Sequence, residues 1–305
     1  MIVSLGEALI DLIHAADGTQ KALVGGSPYN VSIALSRLGV DAGFVCPFSQ
    51  DDHGQMLTQG LADNGVQRCI EDLVTAPTAV AEVFTDESGH PRYVFHREGT
   101  ADRALRARPP IDGLPASLKA LHFGSLVLAQ ENDWPAWKAA IVQARTQGAF
   151  IAFDPNLRVK LIDDLDRYRT RLAEAIELAD LIKASDEDME LLKPGCVPEK
   201  DIQGWASPTR TVVLTEGKKG AQIWTPAGHH IAHRETAKGP IVDTVGAGDT
   251  FQAALLAWHW HRDAFGARLT PEDAQSLLAF ATKAAGLNCM QAGCQPPRLA
   301  EVNAS

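Results

Sequence analysis

The run Ile241-Val242-Asp243-Thr244-Val245-Gly246-Ala247-Gly248-Asp249-Thr250-Phe251 constrains this chain more than any other stretch. Ile241 and Val242 read as the end of a strand, Gly246 to Gly248 as a tight turn, and Phe251 to Trp260 as an apolar helix. A helix N-terminus presents unpaired N–H groups and partial positive charge, so it attracts anions. Glycines let the backbone approach a phosphate closely. Asp249 stands beside that anion hole, positioned to take a proton from an incoming hydroxyl. One turn would then hold a transferring phosphoryl group and activate its acceptor. The plainer reading of Asp249, taken alone, is a helix cap.

The rest of the chain alternates between strand and helix patterns. Met1 to Ile13 reads as one opening strand interrupted by Asp11. A carboxylate among Leu and Ile is costly unless something hydrogen-bonds it, and either a pair of sugar hydroxyls or a salt bridge would serve. Residues 14 to 24, with a turn at Asp17-Gly18, suggest a small hairpin. Residues 79 to 84 and 92 to 96, around Asp86 to Gly89, suggest a second. Between them Gly25-Gly26 opens a helix with Val31, Ala34, Leu35 and Leu38 on one face. Strands at 120–123, 149–153, 181–183 and 211–214 are spaced by helical stretches such as 134–147 and 169–178, which argues for parallel β-α-β units. In such sheets ligands bind beyond the carboxyl ends of the strands. Gly124-Ser125, Asp154 to Arg158 and Lys183 to Asp188 all fall there. On its own, Ser185 to Asp188 is an acidic helix start and Gly217 to Gly220 a hairpin turn.

Composition excludes several classes. With 28 basic and 38 acidic residues the net charge is 28 − 38 = −10, so general attraction to nucleic acid or anionic membrane is not expected. Met1 to Leu12 lacks a basic leader, and no apolar run approaches the roughly 20 residues that span a bilayer. The five cysteines show no C-x-x-C, and a reduced, cytoplasmic setting is expected.

The 241–251 run resembles the signature D-T-x-G-A-G-D-x-F of the ribokinase-like (PfkB-type) sugar kinases. Further motifs follow in family order. Gly25-Gly26-Ser27-Pro28-Tyr29-Asn30 resembles G-G-x-x-x-N, Arg97 to Asp102 resembles the fructokinase R-x-x-x-A-D stretch, and Asp154 to Arg158 resembles D-x-N-x-R. Lys183 to Asp188 lies where the family has K-x-N-x-x-E, departing from it at Ser185 and Asp188, and Thr215 to Gly220 resembles T-x-G-x-x-G. The resemblance covers Gly6 to about Pro297 and is strongest toward fructokinases.

It implies a ribokinase-like α/β fold over residues 1–305: a mostly parallel sheet between two helix layers, with a small antiparallel lid inserted from about 12–29 and 75–101. It implies transfer of the γ-phosphoryl of ATP, with Mg2+, to a primary hydroxyl of a ketohexose, fructose above all, giving the 6-phosphate. Asp249 would be the base, and the N–H groups of Gly246, Ala247 and Gly248 the anion hole. Asp11, Gly25, Gly26, Asn30, Arg97, Ala101 and Arg158 would meet the sugar. Lys183, Thr215, Gly217, Gly220, Ala281, Ala284 and Asn288 would meet the nucleotide. Glu187 or Asp188 would serve magnesium through water, and Asp243 a monovalent cation such as K+. The lid would pair two subunits into a homodimer, by fold-level analogy. The same motifs admit a 2-keto-3-deoxygluconate kinase, another sugar or nucleoside kinase of the family, or a sugar-binding regulator without turnover. A nicotinamide dehydrogenase is disfavoured, because Phe251 stands where its fingerprint needs a third glycine.

Overall fold

The computed structural model describes residues 1–14, 18–85, 91–162, 164–234 and 239–304. Asp17 and the expected turn at 86–89 lie outside the described residues. The first part of the chain forms β1 (Ile2–Leu5), β2 (Leu9–His14), β3 (Gln20–Gly25), α1 (Ser27–Arg37), β4 (Ala42–Val45), β5 (Phe48–Ser49), α2 (Asp52–Asp63), β6 (Gln67–Arg68), β7 (Leu73–Val74), β8 (Ala79–Thr85) and β9 (Pro91–His96). It continues as β10 (Ala120–Gly124), α3 (Trp134–Thr146), β11 (Phe150–Asp154), α4 (Leu165–Leu178), β12 (Leu181–Ser185), α5 (Asp186–Leu192) and α6 (Pro198–Gln203). The last elements are β13 (Thr211–Thr215), β14 (Ala221–Trp224), β15 (His230–His233), α7 (Ala247–His261), α8 (Pro271–Cys289) and α9 (Leu299–Ala304).

Nine strands form the main sheet in the order β15-β14-β13-β12-β11-β10-β1-β4-β6. Pairing is parallel from β13 to β6, and β14 and β15 return antiparallel at one edge. The central strands are buried along their whole length, as expected of a parallel sheet covered on both faces. One core joins the sheet to α1, α7 and α8, through residues such as Leu35, Leu255 and Leu278. The other joins its opposite face to α3 and α4, through Trp137, Phe153 and Leu172.

The opening segment is two strands, not one. Gly6 adopts φ +149°, and a Cβ there would lie 2.5 Å from the Pro28 ring. The chain therefore turns out of the main sheet after Leu5 and enters a second sheet, of order β3-β2-β8-β9. That sheet consists of two antiparallel hairpins joined by a parallel β2–β8 pairing. Its inner face, Leu9, Ala79 and Ala81, packs on Leu126 and Ala129 of the main body. This seats a lid above the carboxyl ends of β1, β10 and β11.

Ile241 and Val242 are not strand. They lie in irregular chain at 52% and 59% exposure, pinned where Val242 N–H donates to the Cys289 carbonyl at 2.8 Å. An apolar pair resembles a strand end by type, but among the described residues no strand pairs with it.

Candidate active site

A cleft of about 1070 Å³ runs between the lid and the strand ends, large for a single small ligand. Asp249 lies in it at the third position of α7, only 7% exposed. The capping reading fails. The residue before the helix is Gly246, in the left-handed region at φ 73°, and no side chain caps the first turn. Asp249 instead accepts from Ser27 Oγ at 2.6 Å and from Asn30 Nδ2 at 2.8 Å, both on α1. Gly246 has no room for a side chain, because a Cβ would lie 2.2 Å from Cys294 Sγ. The three turn amides differ: Ala247 N–H already donates to Thr244 O at 3.2 Å, closing the turn.

Below the turn, Lys183 Nζ meets Asp154 Oδ2 at 2.9 Å, with both side chains almost fully buried. A Cβ on Gly248 would lie 3.4 Å from that Nζ, so the ammonium sits directly under the anion hole. Burial opposes charge on Lys183, but Asp154, Asp188 and Asp249 outweigh it and hold the lysine protonated. Burial pushes Asp154 upward, with Lys183 opposing. One buried lysine and a helix end thus lie together at the turn, and Arg158, Lys160 and Lys218 also line the cleft.

Asp188 is occupied structurally. Its Oδ1 accepts Leu157 N–H at 2.7 Å, and its Oδ2 accepts Ser185 N–H at 2.9 Å and Ser185 Oγ at 2.7 Å. The second set closes a capping box on α5. Glu187 is the exposed carboxylate on the cleft wall. Asp243 likewise ties two loops, accepting Val245 N–H at 3.0 Å and Gly293 N–H at 2.8 Å.

At the lid end, Asp11, Gly26, Asn30 and Arg158 line the cleft. Burial pushes Asp11 up to about 6, with Arg158 opposing. Gly25 lies beneath it: a Cβ there would come within 2.5 Å of Asp11 Oδ2. Arg97 and Ala101 do not line the cleft. Arg97 is buried and donates through Nε to Asp102 at 2.6 Å, while Ala101 is 3% exposed in the packing behind. The Arg97 guanidinium is thus engaged in a buried ion pair. Sequence reasoning missed Glu7, which lines the cleft and accepts N–H groups from Ser27 and Leu126 at 3.3 Å each. Burial pushes Glu7 up to about 7, against the pull of Arg97. It also missed Ser27 and Asn156, although both stand inside quoted motifs.

At the other end, Lys183, Thr215, Gly217 and Gly220 line the cleft. Gly220 (φ 94°) is required because a Cβ would strike the His233 carbonyl at 2.1 Å. The α8 residues expected to meet the nucleotide do not line the cleft. Ala281 and Ala284 are fully buried on the core face, and Asn288, also 0% exposed, bridges Val245 O and Gln295 N–H at 2.8 Å each. The face of α8 toward the cleft is Thr282, Ala285, Gly286 and Cys289. Leu191, Ile241 and Val245 expose apolar surface to the same end.

A family model described as pfkB family carbohydrate kinase matches residues 1–301. The probable fructokinase-3 of Arabidopsis thaliana is 36% identical over 266 residues, 84% of this chain and 76% of that protein. Fructokinase-2 of Solanum lycopersicum is 34% identical over 266 residues, 84% and 80% of the two chains. A fructokinase double mutant from Vibrio cholerae O395, bound to fructose, ADP and potassium ion, has a TM-score of 0.83 at 26% identity, covering 99% of this chain and 97% of that one. Fructokinase from Xylella fastidiosa with bound ATP has a TM-score of 0.84 at 25% identity, covering 99% and 96%. A match from residue 1 to residue 301, on a chain whose glycine turn and buried helix carboxylate already share one cleft, makes it a member of the pfkB family of carbohydrate kinases.

Proposed function

We propose that this chain is an ATP-dependent fructokinase, forming fructose 6-phosphate and ADP. The observation that carries the reading is Asp249. It is a buried carboxylate held by α1 on one side and carried by the first turn of α7 on the other, between an acidic sugar end and a glycine-lined end. The fructokinase relatives and the fructose- and nucleotide-bound neighbours support the choice of sugar and of ATP.

Asp11, Gly26 and Asn30 hold the sugar, with Arg158 over it. Asp249 accepts the proton of the primary hydroxyl as its oxygen attacks the γ-phosphorus. The bond from that phosphorus to the β,γ-bridging oxygen breaks, and ADP leaves. Amides of the Gly246–Gly248 turn and the Lys183 ammonium stabilise the negative charge that builds there, since phosphoryl transfer depends chiefly on positioning and electrostatics. Glu187, an open hard-oxygen donor on the cleft wall, fits magnesium held through water, whereas Asp188 is taken up by three donors. Bound magnesium neutralises phosphate charge. The apolar end formed by Leu191, Ile241 and Ala285 suits the adenine. Potassium between Asp243 and the 291–294 backbone, and subunit pairing through the lid, belong to the same reading. Exchange of K+ for Li+ and light scattering test them.

A coupled ADP-release screen across sugars, with ATP and Mg2+, tests the assignment. Fructose is expected to give the highest kcat/KM. Preference for 2-keto-3-deoxygluconate or a nucleoside, or sugar binding without ADP release, would overturn it.

A further inference from the structure

We propose that Ser27, locked by Asn156, is a positioning residue that fixes how the oxygens of Asp249 point before sugar enters. The inference rests on the base role given to Asp249 above.

Ser27 Oγ donates to Asp249 Oδ1 at 2.6 Å, and Asn156 Nδ2 donates to that same Oγ at 2.7 Å. An amide nitrogen can only donate, so Ser27 accepts on one side and directs its single proton at Asp249. Asn30 Nδ2 grips the other carboxylate oxygen at 2.8 Å. Each oxygen keeps a further lone pair, which is where a sugar hydroxyl can donate. The relay is built across the molecule: Asn156 follows β11, Ser27 begins α1 and Asp249 rides on α7. Asn156 has φ +38°, a conformation non-glycine residues rarely hold, and in it the amide reaches Ser27. Ser27 N–H is itself fixed by Glu7 at 3.3 Å. The other charged or ionisable groups that act on Asp249 are Lys183 of β12, Asp154 of β11 and Cys294, with Asp188 of α5 facing Lys183. None of these is altered by a change at residue 27 or 156.

The test is a kinetic cycle on the full chain with fructose, ATP and Mg2+. Ser27→Ala should lower kcat by roughly tenfold through lost orientation, and leave KM for ATP within about twofold. Ser27→Thr, which keeps a hydroxyl, should recover most of kcat. Asn156→Gly suits the backbone and deletes only the amide, so it should fall less in kcat. The double variant should be no worse than Ser27→Ala, since Asn156 acts through Ser27. Additive losses, or a Ser27→Ala enzyme with wild-type kcat, overturn the proposal. Should Ser27→Ala fail to fold, a wild-type kcat in Asn156→Gly overturns it instead. Asp249→Asn separates the two readings. If it keeps more than a tenth of kcat, the base role itself falls; if it is inactive while Ser27→Ala is wild-type, only the relay falls.

Discussion

Asp11 illustrates how a single residue trades apo stability for recognition. Burial raises it from 3.8 to about 6, with Arg158 opposing, so its anion is poorly solvated until ligand hydroxyls arrive. Hydroxyls that donate to it favour the charged form, so fructose binding should weaken as pH falls through about 6, approaching tenfold per unit below that. Calorimetric titration of fructose between pH 5 and 8 checks this, and an affinity flat down to pH 5 would contradict it. For stability the sign is the reverse of the usual carboxylate case. The folded value lies above the unfolded one, so ionisation disfavours the folded state as pH rises from 3.8 toward 6. Asp11→Asn should therefore raise Tm at pH 7 more than at pH 4, while weakening fructose binding. Asp11 stood out in the sequence as a carboxylate inside an apolar run, and Asp249 through the glycine turn beside it. Ser27 and Asn156 did not. Their hydrogen bonds join residues 222 and 129 positions apart, and such pairs leave no trace in spacing.

At the scale of elements, legibility depends on whether the two faces of a helix differ. On α1 the apolar stripe is distinct, and its core face was readable. On α8 alanines and glycine occur all round, so apolar periodicity does not tell the core from the cleft. Ala281 and Ala284 are consistent with either side by sequence, and only packing against α7 turns them inward. Two neighbouring substitutions test that phase. Ala285→Leu, pointing into the cleft, should raise KM for ATP by roughly tenfold, equivalent to about 1.4 kcal/mol, with little change in Tm. Ala284→Leu should overpack the core at a cost of about 1–3 kcal/mol, lowering Tm while the folded enzyme keeps its KM. Exchanged phenotypes would mean that the helix is rotated. The Ser185–Asp188 box shows the opposite case, in which the plain reading of an acidic helix start described the structure.

Across the whole molecule, the parallel sheet and its ligand-binding edge were readable because buried strands and intervening helices differ in length and residue type. The exit of the chain at Gly6 was not, since an unbroken apolar run hides a change of sheet. That exit seats the lid, and the four segments leading into or out of it meet the main body beside the cleft. Glu7, on the first, accepts from Ser27 N–H at the second and from Leu126 N–H of the main body; Asp51 accepts from Thr78 N–H at 2.8 Å at the third, and Asp102 accepts from Arg97 Nε at the fourth. Sheet edge, lid and α7 thus border one cleft, and the proposed chemistry depends on the carboxylate that α1 holds within it. The most direct measurement is steady-state kcat of Asp249→Asn with fructose, beside the affinity of a non-hydrolysable ATP analogue. The account predicts a fall in kcat of about 10²–10⁴ with analogue affinity nearly unchanged. A variant that keeps more than a tenth of wild-type kcat would contradict it.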